Sequence, residues 1–107
     1  MPFIYKIYND INNKFYIGKT SKTVNDRWQE HIYTALYRKQ KRNFKLYNAI
    51  RKYGIEHFFI EEIEECNKDS VDEREKYWIK QYDSFNNGYN MTEGGDGTIF
   101  YDRDLIL

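Results

Sequence analysis

One amphipathic segment, residues 70–82, constrains the fold of this chain most strongly. It predicts a helix because its apolar residues recur at helical spacing and form one stripe. Ser70 and Glu73 have the spacing of a capping box, and acidic residues crowd the first turns, where the helix dipole favours negative charge. The stripe consists of Val71, Trp78, Ile79 and Tyr82. The helix is therefore expected to begin at Ser70 and to bury one face against the domain.

Glu75 falls inside this stripe, four residues after Val71 and four before Ile79. A carboxylate that faces a core is costly unless a proton, a cation or a metal ion compensates its charge. Two interpretations of Glu75 stay open from the helix alone. It pairs with a basic neighbour as part of the structure, or it belongs to a functional site.

The composition fits one domain with a single modest core. The chain has 107 residues, and aromatic residues make up 19% of them. Residues 1–95 are predicted to form the domain and residues 96–107 a tail, since four of the six glycines lie between residues 88 and 97. The single cysteine, Cys66, excludes an internal disulfide and a cysteine-based zinc cluster, which is typical of a reducing compartment. No apolar run reaches membrane-spanning length.

The charges are balanced in number but separated along the sequence. Lysines and arginines total 17, as do aspartates and glutamates. Residues 38–52 contain seven basic residues and no acid, whereas residues 61–75 contain eight acids. This separation indicates either an anionic partner on one face or two solvated surfaces of opposite sign.

Two β-rich runs at residues 3–8 and 14–20 predict an antiparallel hairpin, joined by the polar sequence NDINN. With a two-residue turn at Asn12 and Asn13, the register places Tyr5 and Tyr16 on the same face. Gly18 in the second strand predicts a bulge or the close approach of another group. The two tyrosines are compatible with packing or with chemistry.

Residues 23–37 predict a helix that begins with a capping box of Thr23 and Asp26. Arg27 and His31 are four residues apart and are expected together at the edge of its apolar stripe. An arginine at such an edge usually extends towards solvent. The stripe is predicted to consist of Trp28, Ile32, Ala35 and Leu36.

A second helix is predicted from about residue 43 to Gly54, and a third strand over residues 55–65. The helix that contains Glu75 follows. The resulting order is strand, strand, helix, helix, strand, helix. It predicts a small α/β sandwich in which helices flank a mainly antiparallel three-stranded sheet.

Five segments, taken together, resemble the GIY-YIG nuclease family from about residue 3 to about residue 95. The hairpin is similar to the two signature tripeptides of that family, with Ile4-Tyr5 in the first and Tyr16-Ile17-Gly18 in the second. RWQEH resembles the family's arginine with a histidine one turn later, and NAIRKYG resembles its second-helix ending. EREKYWI resembles the segment with the metal-binding glutamate, and NNGYN resembles the closing segment.

The resemblance implies a homing-endonuclease-like domain that hydrolyses DNA phosphodiester bonds with Mg²⁺ or Mn²⁺ and uses no organic cofactor. Glu75 would hold the metal, and Arg27 would stabilise charge on the phosphoryl oxygens. Tyr5 would activate or orient the attacking water beside Tyr16, and His31 would orient Tyr5 or relay its proton. Gly18 would have a structural role. The residues expected to contact DNA are Lys19, Lys41, Arg42, Lys45 and Asn90.

The chain departs from the family pattern at two places. Phe3 stands where the first tripeptide begins with glycine, and Lys41 and Asn43 lie where some members carry a histidine. A mobile-element or phage-type nuclease is expected, acting in the cytoplasm or nucleus of a host cell. The alternatives are a branched-DNA or repair nuclease, a DNA-binding module that does not cut, and a protein-interaction domain.

Overall fold

The computed structural model describes residues 1–38 and 44–94 and has the predicted order of strands and helices. Three strands form one antiparallel sheet in the order β2-β1-β3. Within the described part of the chain, no helix is long and apolar enough to cross a membrane. The elements are β1 (Phe3–Asn9), β2 (Phe15–Thr20), α1 (Val24–Tyr37), α2 (Phe44–Tyr53), a 3-10 turn (Ile55–His57), β3 (Phe58–Glu65) and α3 (Val71–Tyr82).

The helices cover both faces of the sheet. On one face, Tyr5 and Tyr16 pack in a cluster with residues of α1 and α2, because side chains of a strand alternate between faces. On the other face, Ile4 and Ile17 pack with Ile79 of α3. The strand β2 lies at an edge of the sheet, so side chains from the two helical layers can meet around it.

The hairpin loop is longer than predicted, although the shared face of the two tyrosines is confirmed. Tyr5 pairs with Gly18, and the loop spans residues 10–13 rather than two asparagines. The N–H of Asn9 donates to the carbonyl of Lys14 at 3.1 Å, and Asn13 has a φ of 58°. Asparagine tolerates this left-handed conformation, which lets a four-residue loop reverse the chain.

The buried face of α1 differs from the predicted one. Thr23 caps the helix as expected, accepting from the N–H of Asp26 at 3.1 Å. However, Leu36 is exposed, and Arg27 and His31 are buried. Their predicted position at the edge of the stripe, with the arginine extending into solvent, is wrong. A different face of α1 is buried from the one predicted, because the helix packs over the tyrosines of the hairpin, whose hydroxyl groups need polar partners.

Two further predictions about element ends are wrong. Ser70 does not form a capping box, because its hydroxyl donates to the side chain of Asn67 at 3.0 Å instead of accepting from Glu73. The third strand does not begin at Ile55. Gly54, with a φ of 97°, ends α2 and starts the 3-10 turn, in which the N–H of His57 donates to the carbonyl of Gly54.

Candidate active site

Tyr5 and Tyr16 project from adjacent strands into the layer between the sheet and α1. Their ring centroids are 6.4 Å apart, and both side chains are buried. Gly18 allows this arrangement, since a Cβ on it would lie 2.4 Å from Cζ and from the hydroxyl oxygen of Tyr5. The expected close approach at Gly18 is therefore the ring of Tyr5, and the glycine fixes where that phenol can lie.

His31 of α1 links Tyr5 to a tyrosine that the sequence analysis did not identify. The hydroxyl oxygen of Tyr5 lies 2.7 Å from Nε2 of His31, and the hydroxyl oxygen of Tyr47 in α2 lies 2.9 Å from Nδ1. Tyr47 was missed because it adjoins the predicted stripe of α2 without belonging to it. Its spacing of three residues before Ile50 was the available signal.

Arg27, the residue one turn before His31, is only 1% exposed. Burial lowers the pKa of His31 well below its usual value, and the charge of Arg27 lowers it further. Burial also raises the pKa of Tyr5 well above its usual value, against the opposing effect of the Arg27 guanidinium beside it. The imidazole and the phenol are therefore both neutral near neutral pH, next to a permanent positive charge.

Glu75 of α3 is also buried, with only 4% of its surface exposed. Its negative charge contributes to the raised pKa values of both Tyr5 and Tyr16, although burial is the main cause for each. Oε1 of Glu75 is 3.5 Å from Nζ of Lys19, which also binds Asp72. The basic neighbour of the first interpretation is thus present, and the functional role of Glu75 stays a prediction.

The residues around Glu75 fit a hard divalent cation held by one protein carboxylate. Among residues 1–38 and 44–94, no group of three or more His, Cys, Asp and Glu side chains surrounds a single point. Gly94 lies against the carboxylate, and a Cβ on it would be 3.3 Å from Oε1 of Glu75. Mg²⁺ is commonly held by one or two carboxylates, with waters and substrate oxygens as its other ligands. A single carboxylate donor therefore fits Mg²⁺ or Mn²⁺, and an ion bound at Oε1 of Glu75 would compete with the ammonium of Lys19.

Asn90, which was predicted to contact DNA, is buried beside β2. It is 5% exposed, its Oδ1 accepts from the N–H of Ile17 at 2.8 Å, and its Nδ2 donates to the carbonyl of Ile17 at 2.9 Å. The N–H of Tyr89 donates to the carbonyl of Phe15 at 2.9 Å. Asn90 thus completes the outer edge of β2, and its buried amide does not fit a DNA contact.

The predicted DNA-binding lysines and arginines divide into three groups. Lys45 lies exposed on α2, whereas Lys41 and Arg42 lie outside the described residues. The side chain of Lys19 is only 8% exposed and contacts carboxylates of α3, which does not fit an open DNA-binding surface. Arg51, also in the basic stretch, donates from Nε to the carbonyl of Ala35 at 2.6 Å and so holds α2 to the end of α1.

Comparison with known proteins finds one family. The sequence model of the GIY-YIG catalytic domain matches residues 1–90. Intron-associated endonuclease 1 of Enterobacteria phage T4 is 38% identical over 96 residues, which are 88% of this chain and 38% of that protein. Uncharacterized protein 019R of Invertebrate iridescent virus 6 is 33% identical over 93 residues, which are 82% of this chain and 32% of that protein. The chain thus spans less than two fifths of the length of these relatives.

Two solved structures share the fold. The catalytic domain of the homing endonuclease I-TevI aligns with a TM-score of 0.75 at 33% identity, covering 86% of this chain and 99% of that one. The E75A mutant of the catalytic domain of the intron endonuclease I-TevI aligns with a TM-score of 0.72 at 33% identity, covering 87% and 96%. The predicted order of elements and the three-stranded antiparallel sheet are confirmed by these matches as well as by the coordinates.

Proposed function

The chain belongs to the GIY-YIG family of catalytic domains, and from that membership we propose that it is a metal-dependent DNA endonuclease that hydrolyses phosphodiester bonds. The observation that carries the proposal is a buried polar cluster at the edge strand β2. Strands β1 and β2 and helices α1 and α3 each contribute to it, although the residues are far apart in sequence. Its members are Tyr5, Tyr16, Arg27, His31 and Glu75, and all are buried.

A cluster of this kind contributes little to the stability of the fold. Burying charged and polar groups is unfavourable even when they are paired, and packed apolar side chains of similar volume are often equally stable or more stable. Here an arginine, a glutamate, a histidine and two tyrosines occupy buried positions in a domain with a modest core. Their presence together supports a catalytic role over a purely structural one.

Each residue has a role in phosphodiester hydrolysis. Glu75 would hold the divalent ion, which when bound supplies positive charge at the scissile phosphate. Arg27 would donate to the phosphoryl oxygens as negative charge develops on them, using a planar fork that lysine cannot reproduce. Its burial gives it a fixed direction, since neighbouring side chains limit its rotamers.

Tyr5 would position and activate the attacking water. Its raised pKa means that the phenolate form is too rare near neutral pH to act as a preformed base. A neutral phenol can still take the proton of a water molecule if it passes its own proton to a partner at the same time. His31, with Nε2 at 2.7 Å from the hydroxyl oxygen, is that partner. Tyr16 packs beside both rings and helps to exclude water.

The substrate would be DNA inside the host cell of a phage or virus, in keeping with the relatives from Enterobacteria phage T4 and Invertebrate iridescent virus 6. The relative from phage T4 is named as an intron-associated endonuclease, which supports a homing type over a branched-DNA or repair enzyme. The exposed side chain of Lys45 would contact the phosphate backbone near the site.

Cleavage of supercoiled plasmid by the parent and two variants of α3 tests the proposal. The parent should cut in Mg²⁺ and stop cutting in EDTA. Glu75→Gln should cut at least about 10²-fold more slowly, because it loses the carboxylate that holds the ion. Glu73→Gln, which changes an exposed carboxylate of the same helix, serves as the control and should cut like the parent.

Thermal unfolding of the same proteins separates metal binding from ion pairing. Mg²⁺ at 100 times its Kd should stabilise the parent by about 2.7 kcal/mol and leave Glu75→Gln unchanged. Without metal, Glu75→Gln should lower the free energy of unfolding by less than the roughly 3–5 kcal/mol expected for a broken buried ion pair. The reason is that Lys19 still has Asp72 as an ion-pair partner. A Glu75→Gln protein that melts far lower yet still cuts would mean that this carboxylate is only structural. A parent that binds DNA without cutting it would indicate a DNA-binding module.

A further inference from the structure

The inference concerns Tyr47 and deepens the proposed function, on which it rests. His31 lies between two phenols, one at each ring nitrogen. Tyr5 is 2.7 Å from Nε2 and Tyr47 is 2.9 Å from Nδ1, so both contacts are hydrogen bonds. All three side chains are buried, and they come from β1, α1 and α2. The imidazole is thus held between two hydroxyl groups that solvent does not reorient.

A neutral imidazole carries one N–H, so one ring nitrogen donates and the other accepts. The two phenols must therefore have opposite roles. If Nε2 carries the proton, His31 donates to Tyr5 and Tyr47 donates to His31. If Nδ1 carries the proton, Tyr5 donates to His31 and His31 donates to Tyr47. Because a hydroxyl oxygen has two lone pairs, the choice decides what else Tyr5 can bind.

The proposed role of Tyr5 distinguishes these two arrangements. With the proton on Nε2, the oxygen of Tyr5 accepts from His31, and Nε2 cannot take the proton of Tyr5. With the proton on Nδ1, the proton of Tyr5 points at Nε2, and both lone pairs of its oxygen stay open to other donors, an attacking water among them.

We propose that Tyr47 is a positioning residue that accepts from Nδ1–H of His31 and so holds Nε2 ready to receive the proton of Tyr5. In the reaction, the water oxygen bonds to phosphorus as the bond from phosphorus to the leaving 3′ oxygen breaks. The proton lost by the water goes to the oxygen of Tyr5, while the proton of Tyr5 goes to Nε2. The leaving oxygen takes a proton from solvent. After the reaction, Nε2 of His31 returns its proton to the oxygen of Tyr5 as Tyr5 releases the proton it took from the water. Tyr47 touches neither water nor phosphate and acts through His31.

The tautomer of His31 can be measured directly, independently of cleavage. The chain has two histidines, so long-range ¹H–¹⁵N correlation spectra of protein labelled at histidine contain two ring systems, His31 and His57. In the parent, His31 should show the proton on Nδ1. In Tyr47→Phe, which removes the accepting oxygen but keeps the ring, the pattern should move towards Nε2–H. Tyr33→Phe, which changes a tyrosine that is 52% exposed on α1, should leave it unchanged.

Cleavage kinetics provide the second readout. Tyr47→Phe should lower kcat about 10-fold, part of the 10²- to 10⁴-fold that positioned proton transfer contributes, and should leave KM for DNA within about twofold. Tyr33→Phe should match the parent in both. A parent with the proton on Nε2 would overturn the inference, as would a Tyr47→Phe protein with the parental tautomer and kcat. If the parent cuts no DNA, the proposed function fails, but the spectra still decide whether Tyr47 sets the tautomer.

Discussion

Replacement of Gly18 by alanine tests whether the position of the Tyr5 phenol controls both stability and cleavage. The added Cβ would lie 2.4 Å from two atoms of Tyr5, whereas ordinary contacts begin near 3.4 Å. The phenol must therefore move by about 1 Å. Because Tyr5 is fully buried, it cannot move without disturbing its neighbours, and its hydrogen bond to His31 must lengthen or bend.

Two opposing terms set the effect on stability. Overpacking a core typically costs about 1–3 kcal/mol, while exchanging glycine for alanine at an unstrained position recovers roughly 0.4–1 kcal/mol from the unfolded chain. Gly18→Ala should therefore destabilise the domain by roughly 1–2 kcal/mol. For a domain of this size, such a change corresponds to a Tm lower by roughly 4–16 °C. Circular dichroism during heating would measure it.

The effect on cleavage should exceed the effect on stability. A displacement of about 1 Å of a catalytic group can reduce the rate by about 10²-fold. Plasmid cleavage should be compared with the parent at a temperature at which both proteins are folded. A Gly18→Ala protein that melts lower than the parent but cuts within twofold of it would refute the catalytic placement of Tyr5. A protein with the parental Tm and activity would show that Gly18 does not fix the phenol.

Three further predictions concern the charged and titratable residues. Arg27→Lys should cut about 10²-fold more slowly in the plasmid assay, because lysine keeps the charge but lacks the planar guanidinium. Parental activity would exclude a role for Arg27 in stabilising charge on the phosphoryl oxygens. Arg27→Ala would be a poorer test, because truncating a buried side chain leaves a cavity. Burial lowers the pKa of His31 in the folded state. As the pH falls below about 6.5, the unfolded chain therefore binds a proton at this histidine before the folded protein does. The free energy of unfolding then decreases by up to about 1.4 kcal/mol per pH unit. Melting curves between pH 7 and pH 5 should show a smaller loss for His31→Gln, and equal slopes would contradict the prediction. Lys41, Arg42 and Lys45 should be neutralised together to test whether the basic stretch binds DNA. In binding titrations, the slope of log K for DNA binding against log salt concentration should become shallower by about 0.9 per lost phosphate contact. An unchanged slope would place the DNA elsewhere.

Local sequence patterns predicted the helices and strands better than they predicted which side chains are buried. The shared face of Tyr5 and Tyr16 follows from strand alternation, and the burial of Glu75 follows from its place in the stripe of α3. The hydrophobic pattern of α1 failed, because it ranks leucine above arginine for burial. His31 is buried with hydrogen bonds to tyrosines of other elements, and spacing within one helix does not reveal such contacts.

The assembly of the site depended on the family resemblance rather than on periodicity. No spacing rule brings Glu75 of α3 near Tyr5 of β1, since they are distant in sequence and lie in different layers. The family resemblance did not identify Tyr47 either. It was not among the motif residues, and only its contact with Nδ1 of His31 identifies it. A buried polar residue becomes recognisable when its partners are known.

The hydrogen bonds between Asn90 and Ile17 have a consequence for the order in which the proposed site is assembled during synthesis. They close the edge of β2 across a separation of 73 residues, and Glu75 is also made long after Tyr5. Ribosomes add about 5–20 residues per second, so the hairpin and α1 exist for several seconds before α3 and the closing segment emerge. A nascent chain that carries both tyrosines, Arg27 and His31 still lacks the proposed metal ligand, Glu75. Under the proposed function, cleavage therefore begins only after α3 and the closing segment have been added, which couples the onset of a potentially toxic activity to completion of the fold.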